Sequence, residues 1–233
     1  MQLFYTNDLS GDIVQLAREE SIHCVRTLRM RRGDKIELTD GCGTRAEGEV
    51  LVADAAACTV HIASRTFMGA RADYRLHLAV APTKNADRIE WLVEKAVEIG
   101  IDEITPLITH NTERTRLNRD RLQKIAVSAM KQSLHNHLPA INAETPFGDF
   151  VARDYEAVKI ICHGHYERPL TLAQACPAKR DAVVVVGPEG DFTPDEVAMA
   201  DRCGFLPVTL GRSRLRTETA ALMTVCAMSL ING

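Results

Sequence analysis

Residues 183–220 read VVVVGPEGDFTPDEVAMADRCGFLPVTLGRSRLRTETA and contain two short apolar runs, each followed by a loop rich in glycine and charge. The run at 183–186 is four consecutive valines, which is typical of a strand buried on both faces of a parallel sheet. Between the loops, Thr193 and Glu196 form a capping box around Pro194, so a helix is predicted to begin there. Strand, helix and strand in this order favour an α/β domain with a largely parallel sheet.

The chain from residue 73 onward repeats this alternation of strands and helices. Apolar runs predict further strands at 76–80, 103–107, 158–162 and 206–210. Helical spacing of apolar residues predicts a helix that ends at Gly100 and another around residues 122–130. The last helix is expected to bury one face, formed by Leu222, Val225, Cys226 and Ser229.

The first seventy residues read differently, as short strands joined by tight turns. Strands are predicted at 3–5, 35–39, 45–52 and 58–64. One helix is predicted between the first two, with Ile22, Val25 and Leu28 at every third position and an end at Gly33. Short strands around a single helix favour a small β-barrel. We therefore expect two domains, residues 1–69 and residues 73–233.

Composition limits the classes of protein that remain. Hydrophobic residues make up 45% of the 233 residues and charged residues 25%, as in ordinary soluble domains. The chain has neither a membrane-length apolar run nor a signal-peptide pattern at its start, so a cytoplasmic location is expected. The seven cysteines include no C-x-x-C pair, which favours reduced, buried thiols and no metal site.

Basic residues concentrate locally although the net charge is −3. They form three stretches: Arg26, Arg29, Arg31 and Arg32; Arg114, Arg116, Arg119, Arg121 and Lys124; and Arg212, Arg214 and Arg216. Basic stretches on a mildly acidic protein suit a polyanion that binds at one defined face. Solvated helix faces would explain any single stretch equally well.

Three predicted strand ends lead into unusual loops, and ligands of open α/β sheets bind at the carboxyl ends of strands. In the loop after residue 186, Gly187 and Gly190 allow close approach to the backbone, Pro188 stiffens the turn, and Glu189 lies near a helix N-terminus. A tight turn that only feeds a helix is the alternative.

The other two loops follow residues 210 and 162. The first crowds three arginines and Glu218 before an apolar helix that Thr217 is predicted to cap, although a surface loop with compensating charges would look similar. The second contains His163 and His165, which are favoured as polar loop residues over a metal pair. G-x-G-x-x-G, P-loop and G-x-S-x-G motifs are absent, which disfavours Rossmann dehydrogenases, P-loop ATPases and α/β-hydrolases.

Together these blocks resemble the 16S ribosomal RNA uridine-N3 methyltransferases of the SPOUT superfamily. The resemblance runs over the whole chain and includes His23-x-x-Arg26-x-Leu28-Arg29, Lys84-x-x-Asp87-Arg88-x-Glu90, the loop at 186–190 and the block at 210–220. Two positions depart from the family pattern: Asp191 stands where a glycine is usual, and Ser213-Arg214-Leu215 replaces arginine-isoleucine-leucine.

The resemblance implies an α/β fold of SPOUT type, with a parallel sheet, a C-terminal trefoil knot and an N-terminal PUA-like β-barrel that binds RNA. It implies S-adenosyl-L-methionine as cofactor, a homodimer, and 16S rRNA or the small ribosomal subunit as partner. Another RNA such as tRNA, or RNA binding without catalysis, remains an alternative.

Roles for individual residues follow from the resemblance. The cofactor is expected to contact His163, Gly164, Gly187, Pro188, Glu189, Gly190, Leu210, Gly211, Ser213, Leu215 and Thr217. Arg216 and Glu189 are the candidates for catalysis. Arg216 would stabilise the uracil oxyanion or clamp the phosphate, and Glu189 would act as the base or orient an arginine. RNA phosphates are expected to contact Arg26, Arg29, Arg114 and Arg116.

Overall fold

The computed structural model describes residues 2–164 and 169–233. The chain divides into two compact units. The first runs to Arg71 and also includes Val127–Leu138, and the second comprises Ala72–Ala126 and the chain from Pro139 onward. Inclusion of Val127–Leu138 in the first unit is a feature that no local pattern in the sequence indicates.

The first unit contains a five-stranded sheet in its described residues. Its strands are β1 (Leu3–Tyr5), β2 (Ile13–Gln15), β3 (Lys35–Thr39), β4 (Thr44–Val52) and β5 (Thr59–Phe67). Their order is β1-β3-β4-β5-β2, with β1 parallel to β3 and the other pairs antiparallel. The apolar residues Ala46 and Val50 of β4 and Val60 and Ile62 of β5 are all buried. Because β1 and β2 stand at the edges of this order, the closed barrel stays a prediction.

The helix of the first unit differs from the prediction. It consists of α1 (Arg18–Ile22) and a π-helical turn (His23–Thr27), in which the backbone N–H of Leu28 donates to the carbonyl of His23 at 3.0 Å. This wider turn rotates the side chains relative to a regular α-helix. The helical segment ends at Thr27, before the predicted end at Gly33. Its buried side chains are Glu20, Ser21 and Cys24, while Val25 and Leu28 are partly buried and pack against the core of the unit.

The second unit is an α/β fold, as the sequence predicts. Its strands are β6 (Leu76–Val80), β7 (Glu103–Ile108), β8 (Ala140–Ile141), β9 (Thr145–Pro146), β10 (Val158–Cys162), β11 (Leu170–Thr171), β12 (Ala182–Val186) and β13 (Leu206–Thr209). Its helices are α2 (Ala86–Ile99), α3 (Arg119–Gln132, which ends in the first unit), α4 (Phe147–Val151), α5 (Leu172–Ala175), α6 (Pro194–Arg202) and α7 (Thr217–Asn232). No helix in the described part of the chain is long and apolar enough to cross a membrane.

All pairings in this second sheet are parallel, in the order β11-β13-β10-β12-β6-β7-β8, with β9 also paired to β7. At the carboxyl edge, Cys162 of β10 lies between Val186 of β12 and Val208 of β13. On the other side of β12, Val186 pairs with Val80. The strand order therefore brings the ends of β13, β10, β12 and β6 side by side.

Local signals set the ends of α2 and α6. The Asn85 side chain caps α2 by accepting from the N–H of Asp87 at 3.0 Å, and Gly100 ends it with φ +113°. Thr193 and Glu196 form the predicted capping box of α6, with N–O distances of 3.2 and 2.8 Å. The predicted helix end at Gly100 and the predicted capping box at Thr193 are both confirmed.

The predicted buried face of α7 is wrong in part. Its buried side chains are Thr217, Glu218, Ala221, Thr224, Val225 and Met228, so only Val225 belongs to the predicted face. The helix is apolar around most of its circumference, and it packs against both α2 and the sheet. An apolar pattern alone cannot select one face of such a helix.

Candidate functional site

A cleft of about 660 Å³ lies at the carboxyl edge of the second unit's sheet. Every residue assigned to cofactor binding from the sequence lies in its lining: His163, Gly164, Gly187, Pro188, Glu189, Gly190, Leu210, Gly211, Ser213, Leu215 and Thr217. The three predicted loops meet because the strands before them, β13, β10 and β12, are neighbours. His165 lies outside the described residues.

Thr217 joins the loop after β12 to the start of α7. Its hydroxyl donates to the carbonyl of Gly187 at 3.0 Å, and both residues are buried. The predicted helix cap by Thr217 is therefore wrong. The N-cap residue is Arg216, and its side chain makes no capping hydrogen bond. A Cβ on Gly187 would lie 3.0 Å from the ring of Phe192, so a larger residue here would have to displace that ring slightly.

Asn111, in the loop after β7, is a site residue that the sequence reading missed. Its side-chain amide donates to the carbonyls of Gly190 at 3.1 Å and Asp191 at 3.0 Å. The neighbouring N–H of His110 donates to the carboxylate of Glu196 at 2.8 Å. The rule that carboxyl ends of parallel strands carry the site also covers the end of β7. Applied to β7, it would have indicated this loop.

Glu189 contacts the backbone just before α2. Its carboxylate accepts from the N–H of Lys84 at 3.3 Å, and Arg114 donates to the carbonyl of the same Lys84 from Nε at 3.1 Å and Nη2 at 3.0 Å. The Lys84 ammonium extends to the carboxylate of Glu113 at 3.0 Å. The Arg114 guanidinium thus binds the backbone carbonyl of Lys84. Its remaining N–H groups are the ones that would contact a phosphate.

The arginines after β13 occupy different places. Arg212 and Arg214 line the cleft, whereas Arg216 is exposed at the N-cap of α7, outside the described lining. Glu218 is buried, and one of its carboxylate oxygens lies 3.7 Å from Nε of Arg88 on α2. Its other oxygen has no hydrogen-bond partner among the described residues.

Cys162 ends β10 in the wall of the cleft. Burial raises the pKa of its thiol to about 12, so the group stays protonated and is not a thiolate nucleophile. Among the described residues, no cluster of three His, Cys, Asp or Glu side chains is arranged to hold a metal ion. The cleft presents glycine backbone, the carboxylates of Glu189 and Asp191, and the arginines Arg212 and Arg214.

The other residues assigned to RNA contact are exposed. Arg26 and Arg29 are exposed in the first unit, where Arg29 adopts φ +57°, and Arg116 is exposed in the second. These positions leave their guanidinium groups accessible from solvent, as phosphate contact requires.

A second, smaller cavity of about 290 Å³ lies at the amino ends of β6, β7 and β12. There His77 is buried, with Nε2 2.7 Å from the Thr105 hydroxyl and Nδ1 3.6 Å from a carboxylate oxygen of Glu103. Burial lowers the pKa of His77, and the charges of Arg153 and Arg75 lower it further, against an opposing effect of Glu103. The imidazole is therefore held neutral.

Known proteins share both the sequence and the fold of this chain. The family model described as RNA methyltransferase domain matches residues 70–229. Ribosomal RNA small subunit methyltransferase E of Mesomycoplasma hyopneumoniae is 34% identical over 161 residues, which cover 65% of this chain and 67% of that protein.

Solved structures agree over the full length. A probable rRNA-methyltransferase from Porphyromonas gingivalis has a TM-score of 0.93 and 37% identity, covering 100% of this chain and 98% of that one. Ribosomal RNA small subunit methyltransferase E from Neisseria gonorrhoeae, bound to S-adenosyl methionine, has a TM-score of 0.89 and 27% identity, with coverage of 100% and 98%. The family model matches residues 70–229, and the loops that form the cleft lie within that range. The chain therefore belongs to the RNA methyltransferase family.

Proposed function

We propose that this protein transfers a methyl group from S-adenosyl-L-methionine to N3 of a uridine in the 16S rRNA of the small ribosomal subunit. The observation that carries the proposal is the cleft formed by adjacent loops after β10, β12 and β13 in a chain of this family. A relative with the same fold is bound to S-adenosyl methionine. The resemblance described above supports the choice of uridine N3.

The cleft fits the proposed cofactor. Its volume of about 660 Å³ is within the usual range for small-molecule sites. Gly211 adopts φ +119°, and no atom of the described residues lies within 4 Å of where its Cβ would be, so the backbone there is open to a ligand. The backbone of 187–190 and 210–215 would hold the cofactor, which supplies an activated methyl group on a sulfonium.

The chain's own residues then act on the nucleotide. The N3–H of uridine must lose its proton before N3 can form the new N–C bond while the C–S bond breaks. Glu189 lies in the cleft and uses one oxygen to accept from Lys84, and we assign proton removal from N3 to its carboxylate. Arg216 would stabilise the negative charge that develops on the uracil oxygens. Arg26, Arg29, Arg114 and Arg116 would contact RNA phosphates.

The proposal extends to assembly and location. Trp91 on α2 is 44% exposed, and Met223 and Leu230 on α7 are 44% and 83% exposed, which supports a homodimer that covers these side chains. The PUA-like character of the first unit, a knotted path through the C-terminal strands, action without a metal and a cytoplasmic location belong to the same proposal.

The test is incubation with labelled S-adenosyl-L-methionine and small ribosomal subunits from a strain that lacks the modification, followed by nucleoside mass analysis. We expect 3-methyluridine in 16S rRNA. A parallel incubation contains tRNA, and label in tRNA with none in 16S rRNA would show a different RNA target. Failure to bind the cofactor in calorimetry would favour RNA binding without catalysis. Arg216→Ala should abolish methylation while cofactor binding persists, and full activity of that variant would remove the proposed role.

A further inference from the structure

Asp191 adopts a backbone conformation that glycine fills more easily. Its φ is +59°, in the left-handed region. Aspartate tolerates the region better than most residues but still at some conformational cost. Glycine at this position would remove the conformational cost of the positive φ. The contacts that the Asp191 carboxylate makes must therefore account for the presence of the side chain.

The carboxylate of Asp191 extends between two loops of the cleft. Oδ1 accepts from the N–H of Phe192 at 2.8 Å, within its own loop. Oδ2 faces the N–H of Gly164, in the loop after β10, at 3.5 Å, which is at the long end of hydrogen-bond distances. Both Asp191 and Gly164 line the cleft.

The backbone around Asp191 is fixed independently of this carboxylate. Its N–H donates to the carbonyl of Pro188 at 3.0 Å, which closes a turn, and its carbonyl accepts from Asn111 at 3.0 Å. The turn and the contact to Asn111 therefore persist without the side chain. Beyond its local contact to Phe192, the carboxylate also faces the N–H of Gly164 in another loop of the cleft.

We infer that Asp191 is a positioning residue for the cofactor, whose carboxylate holds the loop after β12 against the loop after β10. The inference rests on the proposed function, since it assumes that S-adenosyl-L-methionine binds in this cleft. A ligand that must order two separate loops binds more weakly than one that meets them already joined. The link therefore raises cofactor affinity without touching the reacting atoms.

Two variants separate this role from a local one. Asp191→Asn keeps an oxygen for Phe192, but its amide N–H₂ would face the N–H of Gly164, where two donors cannot bond. Asp191→Gly removes both contacts and suits the positive φ, so its Tm should stay close to that of the wild type. Calorimetry with S-adenosyl-L-methionine should show both variants binding about three- to tenfold more weakly, as expected for one net hydrogen bond.

S-adenosylhomocysteine, which lacks the sulfonium charge, serves as the matched ligand. Equal weakening for both ligands supports positioning of the loops. Weakening for S-adenosyl-L-methionine alone would overturn the inference in favour of direct attraction between the carboxylate and the sulfonium. Unchanged affinity in Asp191→Asn would also overturn it, because only the local contact would then matter. If the wild-type protein binds neither ligand, the proposed function fails instead.

Discussion

Replacing Thr217 by valine tests the hydrogen bond that ties α7 to the loop after β12. Valine has the same shape but lacks the hydroxyl that donates to the Gly187 carbonyl at 3.0 Å. Thr217 is only 5% exposed, so water cannot replace the missing donor. A buried carbonyl left without a partner costs about 1–3 kcal/mol. Taking about 2 kcal/mol, and about 2–4 °C per kcal/mol for a domain of this size, the Tm should fall by about 4–8 °C.

The assay is differential scanning calorimetry of the full chain, with and without S-adenosyl-L-methionine. A ligand that binds the folded state raises the Tm of the unit that contains its site, which identifies the transition of the second unit. Thr217→Ser should retain most of the stability because it keeps the hydroxyl. Thr219→Val is the matched control, since Thr219 is exposed in the same helical turn. If Thr217→Val melts together with this control, the hydrogen bond contributes nothing measurable and the reasoning is wrong.

Three further outcomes are expected. Charge reversal of Arg26 and Arg29 to glutamate should weaken RNA binding. It should also reduce the slope of log K against log salt by about 0.7–0.9 for each phosphate that is no longer neutralised, while cofactor affinity in calorimetry stays unchanged. An unchanged slope would contradict phosphate binding by these arginines. Burial lowers the pKa of His77 in the folded state, so the unfolded state binds the proton first and the free energy of unfolding should fall as pH drops below about 6.5. Urea titrations of wild type and His77→Gln at several pH values should show a shallower fall in the variant. Identical pH profiles would exclude His77 as the cause of the fall. Gly48→Ala would place a Cβ 2.6 Å from the carbonyl oxygen of His61, so urea unfolding should show a loss of about 1–3 kcal/mol, and equal midpoints would refute the packing argument.

Local signals in the sequence were sufficient for the longer strands and helices of the second unit and for the identity of the loops around the cleft. The capping box at Thr193 and the glycine at 100 mark helix ends by interactions within a few residues, which is why they could be read without a structure. The loops at 163–164, 187–191 and 210–215 were identified because they follow apolar runs. The rule about carboxyl ends of strands then assigned them to a ligand.

Long-range contacts were not readable in this way. A threonine before an apolar helix predicts a cap, yet the hydroxyl of Thr217 bonds to Gly187, far away in sequence. Asn111 was missed because its partners, Gly190 and Asp191, are distant along the chain. The π-helical turn at His23–Thr27 was also not predicted, because no characteristic spacing of apolar residues marks such a turn. In each case the local pattern was compatible with the outcome but did not select it.

The strand order has a consequence for how the protein is made. β6 leaves the ribosome early, but its partner on one side, β12, is synthesised far later, when Ala182 can pair with Leu76. Until then the nascent chain carries a five-residue strand, fully buried in the finished fold, with one backbone edge unpaired. Such an edge is open to pairing with another chain, and this exposure ends only when β12 has been synthesised and pairs with β6.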